Sequence, residues 1–583
     1  MVPAEWGLSV LPATKDQFEV VKRLINAVET TDVVCATDAG REGELIFRNI
    51  YEAAGCHKMV RRLWISSLTE EAIRDGFGKL RPSSEYDALA AAARARARAD
   101  WLVGLNLTRA YSPRGAVVSV GRVQTPTLAM IVDRDGVIER FVPEPYCEID
   151  ATFRLANGAG YVGKLVRRDA VDGMLHGKGQ ETGVGGGDVY RFPVDAKIDP
   201  VWERSGAIVG RVEEEQHREG SPLLYDLTEL QRHANRVFGI SAQQTLDAAQ
   251  SLYEKKLLTY PRTDSRYVPA DVAATLASIG AAVERRYEDL IAPESCRGAV
   301  GARFVNDAKV TDHHAILPTT RRADGCELTD NEERIYDLVC RRLVSCWLRE
   351  YVSAVTTVLT WTAATGGKDL WASKGMAVVD HGWKVLEPVV RGKEREAEGA
   401  DEAALPAGLG RGVQARVESV ELRKKKTRPP GRFTEASLLT AMESAGKTIE
   451  EAELSEAMRE RGLGTPATRA ATIELLVARG YLERRKKQLL STQLGRDLIA
   501  AVAPELRSAE LTGRWEAYLK GIEHGLGSVD LFMGSMATFV GVVVNSVKAR
   551  GVSPVRVVAN RAEVGASPPK QRRRRQKRAG GAE

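Results

Sequence analysis

Two stretches of alternating apolar and polar residues constrain this chain more than any other feature. One runs from about 146 to 215 (YCEIDATF, GYVGKLV, GAIVGRVEEE) and the other resumes after 350 (VSAVTTVLTW, ARVESVEL). Both have the period of two that marks β-strands. Between them the periodicity is helical, at 222–258 and again at 328–349. Strands need strand partners, so the simplest account is a helical domain inserted within a β-rich one. At 583 residues, 43% of them hydrophobic, the chain is too long for one ordinary core, and roughly three to five domains are expected.

Residues 15–29 have helical rhythm, and TDVVCATD then reads as a short strand ending in acids. Gly40 and Gly43 supply a turn before ELIFRNIYEAA resumes the helix. This α/β unit places polar residues at the carboxyl end of a strand, where open sheets hold ligands. One or two more strands are visible before Pro82. Residues 85–111, rich in alanine and arginine, should be helical, with Arg94 and Arg98 on one face; a solvated surface helix explains that spacing equally well. SVGRVQTPTLAMIVDRD sets a polar cluster before another helix, with Pro126 in its first turn. Residues 433–545 read as helices with short links, and 560–583 as a polar, Arg-rich tail that orders only against a polyanion.

Apolar runs such as Phe539 to Val544 are far shorter than the roughly 20 residues of a membrane span, and no targeting segment opens the chain. No membrane association and a cytoplasmic, nucleoid-associated address are the expectations. The seven cysteines are scattered and never form a CxxC pair, which predicts reduced thiols and no zinc site. A net charge of +6 is modest, but basic residues cluster at 94–122, 423–428 and 570–578. AMESAGKT (441–448) imitates a nucleotide-binding loop, yet Ala441 replaces the first glycine and a helix precedes it, so ATP binding is excluded and no cofactor-binding residue is assigned.

Three segments could carry chemistry. In LLTYPRTDSRYVP, Pro261 holds Tyr260 extended beside Arg262. A phenol next to a guanidinium can attack and hold a phosphate, although a Tyr-Pro pair often only packs. In ATDAGREGE, Asp38 and Glu42 can face one point at the sheet edge and suit Mg²⁺; first-turn acids that favour a helix N-terminus account for Glu42 and Glu44 as well. In TDHHAILPT, a histidine can donate to a phosphate or assist proton transfer, or simply face solvent.

Taken in order and spacing, ATDAGREGELIFR, ARARADWLVGLNLTRAYS, SVGRVQTPTLAMIVDRD, KLLTYPRTDSRYVP, DHHAILPT and FTEASLLTAMESAGK resemble the bacterial DNA topoisomerase III family of type IA topoisomerases, from the first residues to about 545. The resemblance implies Tyr260 as the nucleophile forming a 5′-phosphotyrosyl intermediate, with Arg262 and His313 beside the scissile phosphate and Asp38 and Glu42 as Mg²⁺ ligands. It implies DNA contacts from Arg98, Trp101, Arg109 and Arg114, and from Ser119, Val120, Gly121, Arg122, Val123 and Gln124. The fold implied is a multidomain toroid of α/β, mainly α and β-rich parts. Its units are a partial Toprim domain (1–80), a helical DNA-binding domain in two parts (81–145 and 429–545), a β-rich arch in two parts (146–215 and 351–428), a helical active-site domain (216–350) and a basic tail (546–583). The activity implied is ATP-independent cutting of one strand, strand passage and religation, relaxing negatively supercoiled DNA or separating catenanes. Single-stranded, supercoiled or catenated DNA is the expected partner of a monomer, with room for a helicase.

Two departures stand out. The Toprim motif often reads DxDxE, and here Gly40 takes the second aspartate position. The family also opens on a strand bearing a glutamate followed by lysine, which has no match here, so the sequence is expected to begin inside that domain, near VPAEW. A catalytically impaired DNA-binding remnant would fit that second departure. A Toprim nuclease or primase would explain Asp38 and Glu42 but not the YPR segment. The zinc ribbons that often end the family have no cysteines to build them, and the tail from Lys570 to Arg578 is expected to stand in partly through phosphate contacts.

Overall fold

The structure, a computed structural model, describes residue 3 and residues 5–67, 69–113, 116–166, 191–310, 312–388, 404–448 and 462–550. Arg114 and the tail from Lys570 to Arg578 lie outside the described residues.

The chain opens with α1 (Lys15–Asn26), β1 (Asp32–Cys35), α2 (Arg41–Ala53), β2 (Met59–Arg62), α3 (Glu70–Gly78) and β3 (Arg81–Pro82). β1 pairs parallel to β2 through the α2 crossover, and β3 adds antiparallel to β2. A Cβ on Gly43 would lie 2.1 Å from the carbonyl oxygen of Asp38, so only glycine lets the first turn of α2 press against the β1–α2 loop. The long α4 (Asp87–Tyr111) and α5 (Gln124–Arg140) follow.

Six strands then close into a barrel: β4 (Pro145–Leu155), β5 (Gly160–Val166), β6 (Gly206–Glu219), β7 (Tyr351–Ala364), β8 (Gly367–Asp380) and β9 (Gln414–Lys426), in the order β4-β5-β8-β7-β6-β9. Its inside is a packed core. Trp371 meets Phe153 and Trp202 edge-on at 6.0 and 5.4 Å, and its indole N–H donates to Thr362 at 2.9 Å. Both alternating stretches of the sequence enter this one barrel, and helices α6 (Leu227–Phe238), α7 (Ala242–Glu254) and α8 (Asp330–Val344) are inserted between them. The insert leaves and rejoins the barrel at paired positions, Glu219 opposite Tyr351. Trp383 fastens that neck by donating to the Glu219 carbonyl at 2.9 Å, and Lys384 lies 3.8 Å over the Tyr351 ring.

After β9 come α9 (Glu435–Glu443), α10 (Pro466–Ala478), α11 (Gln493–Ala501), α12 (Glu510–Glu523) and α13 (Val529–Ala549). They share one core with α4 and α5, which includes Ala92, Ala95, Ala99, Leu438, Trp515 and Val540. Small alanines on α4 let these helices approach closely. Two readings are corrected here. The stretch 433–545 is not purely helical: β10 (Leu482–Arg485) and β11 (Gln488–Ser491) form a hairpin, turned through Lys486 at φ 56° without the Asn-Gly signal that announces such turns. Furthermore, α13 is long and apolar enough to cross a membrane by length and composition. Its Phe532, Met536, Val540, Val543 and Val547 nevertheless line one face that is buried in the shared core.

Candidate active site

Tyr260 lies in an extended segment after α7 that is tied to residues 313–318. Thr259 N–H donates to the Leu317 carbonyl at 2.9 Å, Leu317 N–H to Thr259 Oγ1 at 2.9 Å, and Thr263 Oγ1 to the His313 carbonyl at 2.9 Å. This pairing sets the Tyr260 ring 4.5 Å from the His313 ring and 5.4 Å from that of Tyr253. The two adjacent histidines part ways: His314 is turned to the Ala315 carbonyl at 2.7 Å and burial lowers its pKa, while His313 faces the site.

Across a seam from this segment stands the β1–α2 loop, with Asp38 Oδ1 3.4 Å from His313 Nε2. The loop is shaped by Arg62, which is wholly buried and donates to the carbonyls of Cys35, Thr37 and Asp38 at 3.0, 2.7 and 2.6 Å. Glu44, also wholly buried, offsets that charge at 3.1 Å and accepts from Arg48 at 2.9 Å. The first-turn acids of α2 therefore divide: Glu44 holds the fold together and Glu42 is exposed. Asp271 closes the seam on its other flank, accepting from Ser67 and Thr69 at 2.8 and 2.9 Å.

Contact with the His313 imidazole holds the Asp38 carboxyl below its ordinary range, against the opposing pull of burial. Burial, and after it the Asp38 carboxylate, push the Tyr260 phenol upward, while Arg262 works the other way. Tyr260 is thus a protonated phenol at neutral pH. Arg262 is exposed and makes no ion pair among the described residues, so its donors are open to a phosphate.

The predicted DNA-contacting residues separate into two groups. Arg98 stacks over Trp6 at 5.1 Å, and Trp6 meets Trp101 edge-on at 5.3 Å; Trp101 and Arg109 are exposed. In the second group, Ser119 N–H donates to the Tyr481 hydroxyl at 2.7 Å, Val120 N–H to Thr108 Oγ1 at 3.0 Å and Gly121 N–H to Thr125 Oγ1 at 3.1 Å. Val123 and Gln124 are half-buried, and Val120 is buried. Arg122 is buried too, between Asp100 at 2.8 Å and Glu516 at 3.1 Å, over the ring of Trp515. This stretch braces the end of α4 against the start of α5.

Among the described residues, no three His, Cys, Asp or Glu side chains form a ready metal cage. The Asp38 side chain, 53% exposed, and the exposed Glu42 offer hard oxygens to solvent. That donor set suits Mg²⁺ held by one or two carboxylates, with waters and substrate phosphates completing its shell.

The family model described as "DNA topoisomerase" matches residues 84–533. The chain is 38% identical to "DNA topoisomerase 3" of Shouchella clausii (strain KSM-K16), over 94% of this chain and 72% of that protein. It is 37% identical to "DNA topoisomerase 3" of Bacillus subtilis (strain 168), over 94% and 73%. The chain belongs to the bacterial type IA DNA topoisomerases. Like other type IA enzymes, it is an ATP-independent type I topoisomerase that acts on DNA by transesterification. The full-length topoisomerase I of Thermotoga maritima shares its fold, at a TM-score of 0.64 and 21% identity over 92% of this chain and 81% of that one. Within this type IA fold, sequence reasoning missed Trp6 and Asp271, and nothing local marked either of them.

Proposed function

We propose that Tyr260 cuts one DNA strand and that the seam beside it opens to pass another. The Tyr260 oxygen attacks a backbone phosphorus, a P–Oη bond forms and the P–O3′ bond breaks. The phenol loses its proton and the departing O3′ gains one, leaving a 5′-phosphotyrosyl link and a free 3′-hydroxyl. Arg262 holds the non-bridging oxygens and stabilises the charge gathering there. His313, lying between Tyr260 and Asp38, donates to the same phosphate. Asp38 and Glu42 would hold Mg²⁺, whose charge offsets that of the phosphate. Arg98, Trp101, Arg109 and Arg114 bind the strand by stacking and phosphate contact, while Ser119–Gln124, with Arg122 buried, keep that surface rigid. Religation reverses the exchange and needs no nucleotide, because the bond energy is retained.

A partial Toprim unit, a split helical DNA-binding unit, a split arch and an active-site insert arranged as a toroid belong to the same reading. So do a monomeric state, relaxation or decatenation of DNA, a helicase partner and a cytoplasmic, nucleoid-associated address. The observation that carries it is the position of Tyr260, with an open guanidinium two residues away and a carboxylate–histidine contact across a seam. The test is relaxation of negatively supercoiled plasmid with Mg²⁺ and without ATP, comparing the chain with Tyr260→Phe. Relaxation and a protein-linked 5′ end should be seen with the parent and lost in the variant, while both bind single-stranded DNA. Equal relaxation by both would sink the assignment of Tyr260.

A further inference from the structure

Gly40 is not there for its backbone. Its φ of −160° and ψ of 180° are extended values that any residue adopts. What excludes a side chain is one neighbour. A Cβ at Gly40 would lie 2.4 Å from Asp312 Oδ2 and 2.8 Å from both Asp312 Oδ1 and Cγ, and the nearest atoms it would meet are all of that carboxyl group. Gly43 differs, since a Cβ there would strike the main chain of Asp38. The place that a residue-40 side chain would fill is therefore filled by a carboxylate from elsewhere in the chain. It stands midway along the loop that carries Asp38 and Glu42, at the second acidic position of the DxDxE pattern.

Asp312 comes from the Tyr260-bearing insert, next to His313, whose imidazole already meets Asp38 across the seam at 3.4 Å. The other acid of this turn, Glu44, is wholly buried and points to Arg48 and Arg62. We propose that Asp312 supplies, from across the seam, the carboxylate that Gly40 lacks, so that the acidic site facing Mg²⁺ is complete only when the Tyr260-bearing insert is docked against the β1–α2 loop. This rests on the reading of Asp38 and Glu42 as the Mg²⁺ side of the site. Where all three acids sit on one loop, the ion is indifferent to the state of the seam. Here its third carboxylate leaves with the tyrosine.

The test is metal affinity, measured on the full chain without DNA by Mg²⁺ calorimetry and by Mn²⁺ paramagnetic resonance. Asp312→Asn should weaken binding about tenfold or more. Gly40→Ala, which removes no acid, should weaken it similarly by pushing Asp312 aside. The exchange Gly40→Asp with Asp312→Ala should restore affinity to within about threefold of the parent. Parent-like binding by both single variants would overturn the proposal. So would an exchange that melts like the parent yet fails to restore affinity. If Asp38→Asn weakens binding while Asp312→Asn does not, only the role of Asp312 falls. If neither does, the Mg²⁺ reading of the loop falls with it.

Discussion

Asp226 caps α6 by accepting from Glu229 N–H at 2.6 Å, and His233 lies two turns along the same helix against Tyr225 and Arg342. Burial raises the Asp226 pKa to about 6, while burial and then the Arg342 and Arg236 charges lower that of His233 to about 4. Their effects on stability oppose each other. As pH rises from about 4 to 6, the unfolded chain releases the Asp226 proton and the folded chain keeps it, so stability is lost. As pH falls from about 6.5 to 4, the unfolded chain takes up a proton at His233 that the folded chain refuses, and stability is lost in that direction. Each contribution is at most roughly 3 kcal/mol, and over pH 4–6 they nearly cancel. Relative to the parent, His233→Asn should therefore melt at progressively lower temperature as pH rises through that window, and Asp226→Asn as it falls. Parallel melting-temperature profiles for all three proteins would refute this compensation. At this scale the sequence was most legible where chemistry leaves a local mark. The segments that hold Tyr260, Arg262, His313 and Asp38 stood out as short motifs, and Tyr260, His313 and Asp38 stand together in the structure. Asp271 and Trp6 did not stand out, because each acts on a partner distant along the chain.

The contacts of Arg122 show how elements are joined. Glu516 on α12 receives Arg122 and, at 3.2 Å, Arg41 from the first residue of α2, and Arg41 also pairs with Glu523. All but Glu523 of these groups are buried, so the pairs rest on mutual neutralisation. Glu516→Gln leaves Arg41 with Glu523 and Arg122 with Asp100, and should destabilise the protein by roughly 3 kcal/mol, read as a lower denaturant midpoint; an unchanged midpoint would mean that those remaining carboxylates suffice. Element type was legible where periodicity was long, as in α4, α5 and the barrel strands. The β10–β11 hairpin was not, since its Lys-Lys turn looks like a helix surface. The closure of the barrel was not legible either, because it depends on pairing β6 with β9 across about 200 residues of chain.

At the scale of the whole molecule, the core of the Tyr260-bearing insert is almost separate from that of its helical neighbours; Ala242 is the residue from the insert that joins theirs. The seams are instead polar. Arg469 donates to Thr228 at 3.0 Å, Ala242 N–H to Glu435 at 2.7 Å, and Arg232 to Glu443 at 2.6 Å. Polar seams can part and close without exposing a large apolar face, which suits the opening proposed above for strand passage. Asp271→Ala removes two charge-assisted hydrogen bonds from one seam, each worth about 1.5–3 kcal/mol. Spin labels at Lys79 and Glu288 should then report a new population at longer distance, and a distribution identical to the parent's would show that Asp271 does not restrain the seam.

The ion pair between Arg41 and Glu516 has a further consequence, for the birth of the protein. The partners stand 475 residues apart in the chain. At 5–20 residues per second, a ribosome takes roughly 25–95 s to deliver the second after the first. Throughout that interval α2 can form and lean on α4, but the Glu516 carboxylate that is buried with Arg41 is not yet made. The tie between the amino-terminal sheet and the last helices therefore closes only after α12 has emerged.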